Sequence, residues 1–347
     1  MKTLHLFNPS HDEALAANNP YYYPSKIARH LANEWGALPM LWANKGDAIW
    51  LTDESPLTPQ LLAAPVEYVY KKDLNAHFWQ SIDSIAPWGW DPLVHQQLLK
   101  AGAPQHLLPT PSTLNIIRQL SSRQSTPILL SMLRKALAPQ GVDSIGNSFV
   151  AQQMEQVTEY AKQHGSIMAK SLWSCSGRGV FQLSPTLSPS EAGRVNRLLR
   201  EQGGIELEPL YNRLLDFALE FDALPNGTVR YVGLSMFHTS PTGGYTGNRI
   251  APQSVLRAEL AQQFTAFDSL TQVCESTLTN YLAGRYTGPL GIDMMMVLNN
   301  GQPYLHPCIE LNLRRTMGYV SLAVAQRCQQ PLPAFATSLF HFDNTET

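Results

Sequence analysis

The chain has 347 residues, is 44% hydrophobic and 15% charged, and carries a formal charge of −2. That length predicts two or three packed lobes, and that composition excludes a disordered protein. The charge argues against a nucleic-acid partner held by phosphate neutralisation.

Residues 3–7 are a short apolar run that stops at Asn8-Pro9, which predicts a buried strand. A polar loop with His11, Asp12 and Glu13 follows, and residues 24–35 have helical spacing through Ile27, Leu31 and Trp35. A second strand is expected at 38–43, before the turn Asn44-Lys45-Gly46-Asp47. Residues 84–87 then lead into Trp88-Gly89-Trp90-Asp91 and a helix at 92–100. Strand, polar loop and helix in alternation predict an α/β leading domain on a parallel sheet. Ligands of such sheets sit beyond the carboxyl ends of the strands, so loops 8–13 and 44–47 and the two tryptophans are a candidate substrate surface. The plainer alternative is solvated loops and packing tryptophans.

The opening MKTLHLFNPSHDEALAANN acquires Pro9, His11, Asp12 and Glu13 too early for a secretory signal. No apolar run approaches a membrane span. Cys175, Cys274, Cys308 and Cys328 show no CxxC spacing. A reduced, cytoplasmic protein with no membrane partner is expected.

Three prolines within 103–112 mark a boundary, and helical patterns follow at 113–138 and 150–163. Residues 166–183 read SIMAKSLWSCSGRGVFQL: Lys170 on an apolar strand, a small-residue loop at 174–179, then a strand at 180–183. Gly177 and Gly179 let backbone N–H groups close around phosphates where a side chain would intrude. The loop opens a strand, whereas P-loops and dinucleotide-binding glycine loops open helices, so neither of those is expected. A β-turn beside a snorkelling lysine is the bland alternative. Ser188-Pro189-Ser190-Glu191 is a capping box that starts a helix running to Gly203-Gly204. A short strand at 205–210 carries Glu208, a hairpin turns at Pro225-Asn226-Gly227, and a Gly-rich loop at 239–252 carries Arg249. One long amphipathic helix is expected at 253–282, and a closing helix at 317–328.

The most informative stretch is LGIDMMMVLNNGQPYLHPCIELNLRRTMG, residues 290–318. An apolar strand bears one carboxylate, Asp293, and Asn299-Asn300-Gly301 signals a hairpin turn. On the returning strand Glu310, Asn312 and Arg314 share a face. Such a hairpin sets Asp293 near Glu310 and Asn312, an all-oxygen cluster suited to Mg²⁺. Pro303 and Pro307 imply an edge or a bulge. Two solvent-facing acids are the bland reading, and a Zn²⁺ site on His306, Cys308 and Glu310 is a rival from another class.

In this order, the strand lysine, small-residue hairpin, exit glutamate and aspartate strand paired with ELNLR resemble the ATP-grasp superfamily. The resemblance covers roughly residues 111–328. It implies an α/β leading domain (1–112) followed by an ATP-grasp fold, two α+β subdomains (113–204 and 205–340) clamping ATP between antiparallel sheets. It further implies ATP and Mg²⁺ or Mn²⁺ as cofactors. Lys170, Ser174, Ser176, Gly177 and Gly179 would hold the phosphates, and Glu208 and Leu210 the adenine and ribose hinge. Asp293, Glu310 and Asn312 would hold the metal, and Arg314 would face the transferred phosphoryl group. Arg123 stands where the family often has a phosphate-binding lysine, and Arg249 is a candidate for an anionic substrate. The implied reaction activates a carboxylate as an acyl phosphate for attack by an amine or thiol, with small-molecule or peptide-like substrates. A phosphotransferase and a non-catalytic nucleotide-binding module are the alternatives.

Overall fold

The computed structural model describes all residues except 54, 56–63, 175–178, 241–243, 328–339 and 343–347, with the backbone alone at 340–342. The chain divides into two compact units, Met1–Arg118 with Ala323–Leu339, and Gln119–Leu322 with Phe340–Thr347. No helix among the described residues is long and apolar enough to cross a membrane.

The first unit is the expected parallel α/β lobe. Its strands β1 (Thr3–Leu6), β2 (Ala48–Trp50), β3 (Glu67–Val69) and β4 (Ser84–Pro87) lie in the order β3-β2-β1-β4. Leu4, Leu6, Ala48, Val69 and Ile85 meet Phe78, Val94 and Leu98 in its core. The strand expected at 38–43 is instead a 3-10 helix, Leu38–Leu41, with all four residues buried. Pro39 has no N–H to give to a ladder but fits the first turn of a helix. The second strand comes after the turn, where Gly46 has φ +89°.

The second unit carries two sheets. The pattern at 113–138 resolves into two helices, Pro111–Leu120 and Ser125–Leu137. The break occurs because the Arg123 N–H leaves the helix ladder and donates to Leu172 O at 2.9 Å. The smaller sheet contains β5 (Phe149–Ala151), β6 (Ile167–Ser171), β7 (Val180–Leu183) and β8 (Ile205–Pro209), in the antiparallel order β5-β8-β6-β7. β8, which follows the expected 204/205 boundary, pairs with β5 and β6. Helices Met154–His164 and Pro189–Gln202 bring Val157, Ala161, Val195 and Leu198 onto Ile167, Ala169, Ile205 and Leu207. The Ser188–Glu191 capping box is formed, and Gly203 ends that helix at φ 75°.

The larger sheet contains β9 (Arg213–Ala223), β10 (Val229–Thr239), β11 (Tyr245–Ile250), β12 (Gly288–Asn299), β13 (Gln302–Asn312) and β14 (Phe340–Phe342). Its order is β13-β12-β9-β10-β11-β14. The single helix expected at 253–282 is two helices, Gln253–Ala261 and Phe267–Leu282. The chain turns between them to bury Phe264. The β12–β13 turn has Asn300 at φ 50° and Gly301 at φ 78°, which is why those residue types occur there. Both prolines have the positions their chemistry requires. Pro303 is on an edge strand, and Pro307 is in a bulge where residues 307–309 face Met294 alone.

Candidate functional site

On the smaller sheet, Lys170 is opposite Val180 on one side and Glu206 on the other. Its Nζ is 2.8 Å from Glu208 Oε1, with both side chains buried. Burial alone would lower the Lys170 pKa, but Glu206 and Glu208 outweigh it and the net shift is upward. Lys170 is therefore a charged group inside the protein. Glu206, which the sequence analysis does not single out, joins this cluster. The alternation in IELEP sets it on the same face of β8 as Glu208, and that is the available signal. Its side chain is fully buried, accepts from Ser148 Oγ at 2.7 Å, and has its pKa driven up by burial against the pull of Lys170.

Gly179 answers to a close approach. A Cβ there would overlap Ser171 Oγ and come within 2.6 Å of Ser174 Oγ. Ser176 and Gly177 lie outside the described residues. Leu210 follows β8 directly, is 49% exposed, and donates its N–H to Ser166 O at 3.2 Å.

The other sheet brings the expected oxygen ligands together. Asp293 on β12 is directly opposite Glu310 on β13. Asn312 Nδ2 donates to Asp293 Oδ2 at 3.3 Å. Burial, and then the adjacent Glu310, raise the Asp293 pKa against the influence of Arg314. A third acid, the fully buried Glu220, comes from β9 opposite Gly291 and is absent from the sequence-based site. It accepts from Ser235 Oγ at 3.1 Å. Cβ atoms on Gly291 or Gly318 would strike its carboxylate, so both glycines make room for it. Burial pushes its pKa up to about 8, with Asp293 adding to the rise and Thr316, Ser235 and Arg314 opposing it. Arg314 Nη1 also donates to Arg315 O at 3.1 Å.

Arg123 links the two sheets. Its Nη1 donates to Ser171 O at 2.6 Å and to Ser174 Oγ at 2.7 Å. Its Nη2 is 2.6 Å from Glu310 Oε1, and its Nε is 3.8 Å from Glu206 Oε2. Arg249 is placed differently from the expectation. It lies on β11 rather than in a loop, in an ion pair with Glu259 of helix Gln253–Ala261.

The Zn²⁺ reading of His306, Cys308 and Glu310 fails, because the bulge at 307–309 breaks their alternation. No group of three or more His, Cys, Asp or Glu side chains among the described residues is arranged to hold a metal by itself. A site on Asp293, Glu310 and Asn312 therefore rests on two carboxylates and an amide, with the remaining positions left to phosphate oxygens and water. His306 instead lies fully buried against Tyr211, with ring centroids 5.2 Å apart. Burial, then Lys170, take its pKa down to about 3, so the ring is neutral.

The residues fit a magnesium nucleotide in two respects. Glu206 Oε2, Glu208 Oε2 and both His306 ring nitrogens are buried without a hydrogen-bond partner among the described residues. Such atoms are costly unless something occupies the space before them. Also, five carboxylates (Glu206, Glu208, Glu220, Asp293 and Glu310) gather around three cationic groups (Arg123, Lys170 and Arg314). Burial keeps some of these acids protonated, and a cation bound among them would favour their ionised forms.

The loops of the first unit are arranged otherwise. Asn8 Nδ2 donates to Asp91 Oδ2 at 2.9 Å and to Gly89 O at 2.8 Å. His11 Nδ1 is 3.3 Å from the same Asp91 oxygen. Asp91 Oδ1 caps the helix Pro92–Lys100 through Val94 N at 2.8 Å.

No family model matches the sequence, and no curated protein matches it. Solved structures do. Biotin carboxylase from Campylobacter jejuni, in a β,γ-ATP complex, is 14% identical over 97% of this chain and 73% of its own, with a TM-score of 0.52. The biotin carboxylase domain of Hydrogenobacter thermophilus 2-oxoglutarate carboxylase, with MgADP, ADP and bicarbonate, is 13% identical over 95% of this chain and 70% of its own. Its TM-score is 0.50. Rhizobium etli pyruvate carboxylase is 15% identical over 93% of this chain but only 27% of its own, with a TM-score of 0.52. At these identities the likeness is one of fold. The chain has the ATP-grasp fold.

Proposed function

We propose that this protein is an ATP- and Mg²⁺-dependent ligase that activates a carboxylate as an acyl phosphate for attack by an amine or thiol. The observation that carries the reading is the buried cluster in which acids outnumber bases, next to a charged strand lysine and a glycine that admits close approach. A divalent cation balances the acids, and nucleotide phosphates take up the lysine.

In this reading Lys170 holds the phosphates through a charge-assisted contact. Gly179, with Ser174, Ser176 and Gly177, lets the loop backbone lie against them. Glu208 and the backbone at Leu210 border the base and ribose. Asp293, Glu310 and Asn312 hold Mg²⁺, which supplies charge neutralisation at the migrating phosphoryl group. Arg314 faces that group from the same strand end, and Arg123 replaces a lysine with a fork that reaches both sheets. No protein nucleophile is required. Burial raises the pKa of Cys274 and of Cys308, so neither offers a thiolate.

The test is ADP release from ATP with Mg²⁺ and pooled carboxylic acids, with hydroxylamine present to trap an acyl phosphate as a hydroxamate. A hydroxamate formed only with ATP and an acid supports the ligase. ADP with a stable phosphorylated product makes the protein a phosphotransferase. Nucleotide binding without turnover over a broad pool makes it a binding module.

A further inference from the structure

The contacts of Arg123 join two parts of the site that a nucleotide would also join. Its backbone N–H is held by Leu172 O, and one guanidinium nitrogen is held by Ser171 O and Ser174 Oγ, where the glycine hairpin begins. The other terminal nitrogen lies on Glu310, 2.6 Å from Oε1. Arg123 is 4% exposed, and the Nε edge of the same guanidinium faces Glu206. A planar guanidinium can serve several acceptors at once, which a lysine cannot do with the same geometry.

We infer that Arg123 is a positioning residue that gates the metal site: in the nucleotide-free protein it occupies Glu310, and it yields that carboxylate when phosphate arrives. A divalent cation entering alone would have to displace a guanidinium that Ser171 O and Ser174 Oγ hold in place on one of its own ligands. A cation entering with nucleotide brings anionic oxygens to which Arg123 can turn, beside the loop that it already holds. Metal and nucleotide then bind with positive coupling, part of which belongs to Arg123, and linkage makes that part equal in both directions. The inference rests on the proposed metal role of Glu310.

The test is Mn²⁺ binding without nucleotide, followed by the paramagnetic resonance of free Mn²⁺, in the wild type, Arg123→Gln and Arg123→Lys. ADP titrations by calorimetry accompany it, with and without Mn²⁺, and melting curves confirm folding. Both variants should bind Mn²⁺ alone about tenfold more tightly than the wild type, and the tightening conferred by ADP should shrink by the same factor. Arg123→Lys keeps the charge and loses the fork. Tighter binding in Arg123→Gln alone would therefore mean a general field effect and overturn the inference, as would unchanged or weaker Mn²⁺ binding in both. If Arg123→Gln does not fold, Arg123→Lys decides the matter alone. A wild type that binds no ADP overturns the nucleotide reading instead, while the nucleotide-free Mn²⁺ titration still decides the role of Arg123.

Discussion

The Asp91 cluster of the first unit and the carboxylate cluster of the second are finished to different degrees. In the first unit Asp91 accepts from Val94 N and Asn8 Nδ2 and faces His11 Nδ1, so its oxygens are provided for. In the second, Glu206, Glu208 and His306 keep buried atoms without a hydrogen-bond partner among the described residues, beside an excess of carboxylates. Both clusters lie where sequence alone suggests a ligand surface. The difference favours scaffold for the first and the proposed site for the second. A satisfied network fixes loops, whereas an unsatisfied one is stable only with something bound or at a cost carried by the rest of the fold.

The largest expected effect comes from Asp293→Asn. It keeps shape, removes a proposed metal ligand, and relieves the repulsion from Glu310 that helps raise the Asp293 pKa. ADP release should fall by roughly a thousandfold or more, while the melting temperature is unchanged or higher. Glu310→Gln differs from it because Arg123 is its partner. That variant should lose turnover and also about 1–3 kcal/mol of stability, since a buried guanidinium loses one of its anions.

The converse change is Asp91→Ala in the satisfied cluster. It removes a helix cap and the acceptor shared by Asn8 and His11, and should cost on the order of 2–4 kcal/mol in chemical denaturation. Its nucleotide affinity, measured well below the melting point, should stay within about twofold of wild type. Lost affinity with unchanged stability would make the first cluster a site as well.

The third effect is on pH dependence. The folded protein keeps the Glu220 proton up to about pH 8, whereas the unfolded chain releases it near the ordinary value of 4.5. Between these values the folded state holds one proton more at Glu220, so its contribution to the stability of the metal-free protein falls as pH rises, by roughly 1.4 kcal/mol per pH unit. Glu220→Gln cannot titrate and should flatten the slope in melts taken from pH 5 to 8. The smallest effect is expected for Arg249→Gln. With its guanidinium already paired to Glu259, the variant should change turnover less than tenfold and stability by under about 1 kcal/mol.

The sequence makes the β12–β13 hairpin legible because each of its signals has a local cause. Asn300 and Gly301 tolerate positive φ, Pro303 and Pro307 demand an edge and a bulge, and alternation pairs Asp293 with Glu310. Lys170 and Gly179 are legible for the same reason. Glu206 and Glu220 are less so, because a carboxylate on a strand reveals its burial only when the opposing surface is known. Glu220 needs Gly291 and Gly318, far from it in sequence, to make its space. The interruptions at Arg123 and at 262–266 are tertiary in origin, set by Leu172 O and by burial of Phe264, and helical periodicity runs straight through them. The 3-10 helix at Leu38–Leu41 reads as a strand in the sequence because a short apolar run has no period of its own.

The most direct test of the second cluster as a metal–nucleotide site is calorimetric titration of ADP, with and without Mg²⁺, into wild type and Asp293→Asn. Mg²⁺ should tighten ADP binding to the wild type by about tenfold to a hundredfold, the worth of one charge-assisted interaction. Asp293→Asn, equally well folded, should bind ADP no more tightly with Mg²⁺ than without it. ADP binding that ignores Mg²⁺ in the wild type, or an undiminished response to Mg²⁺ in Asp293→Asn, would contradict such a site.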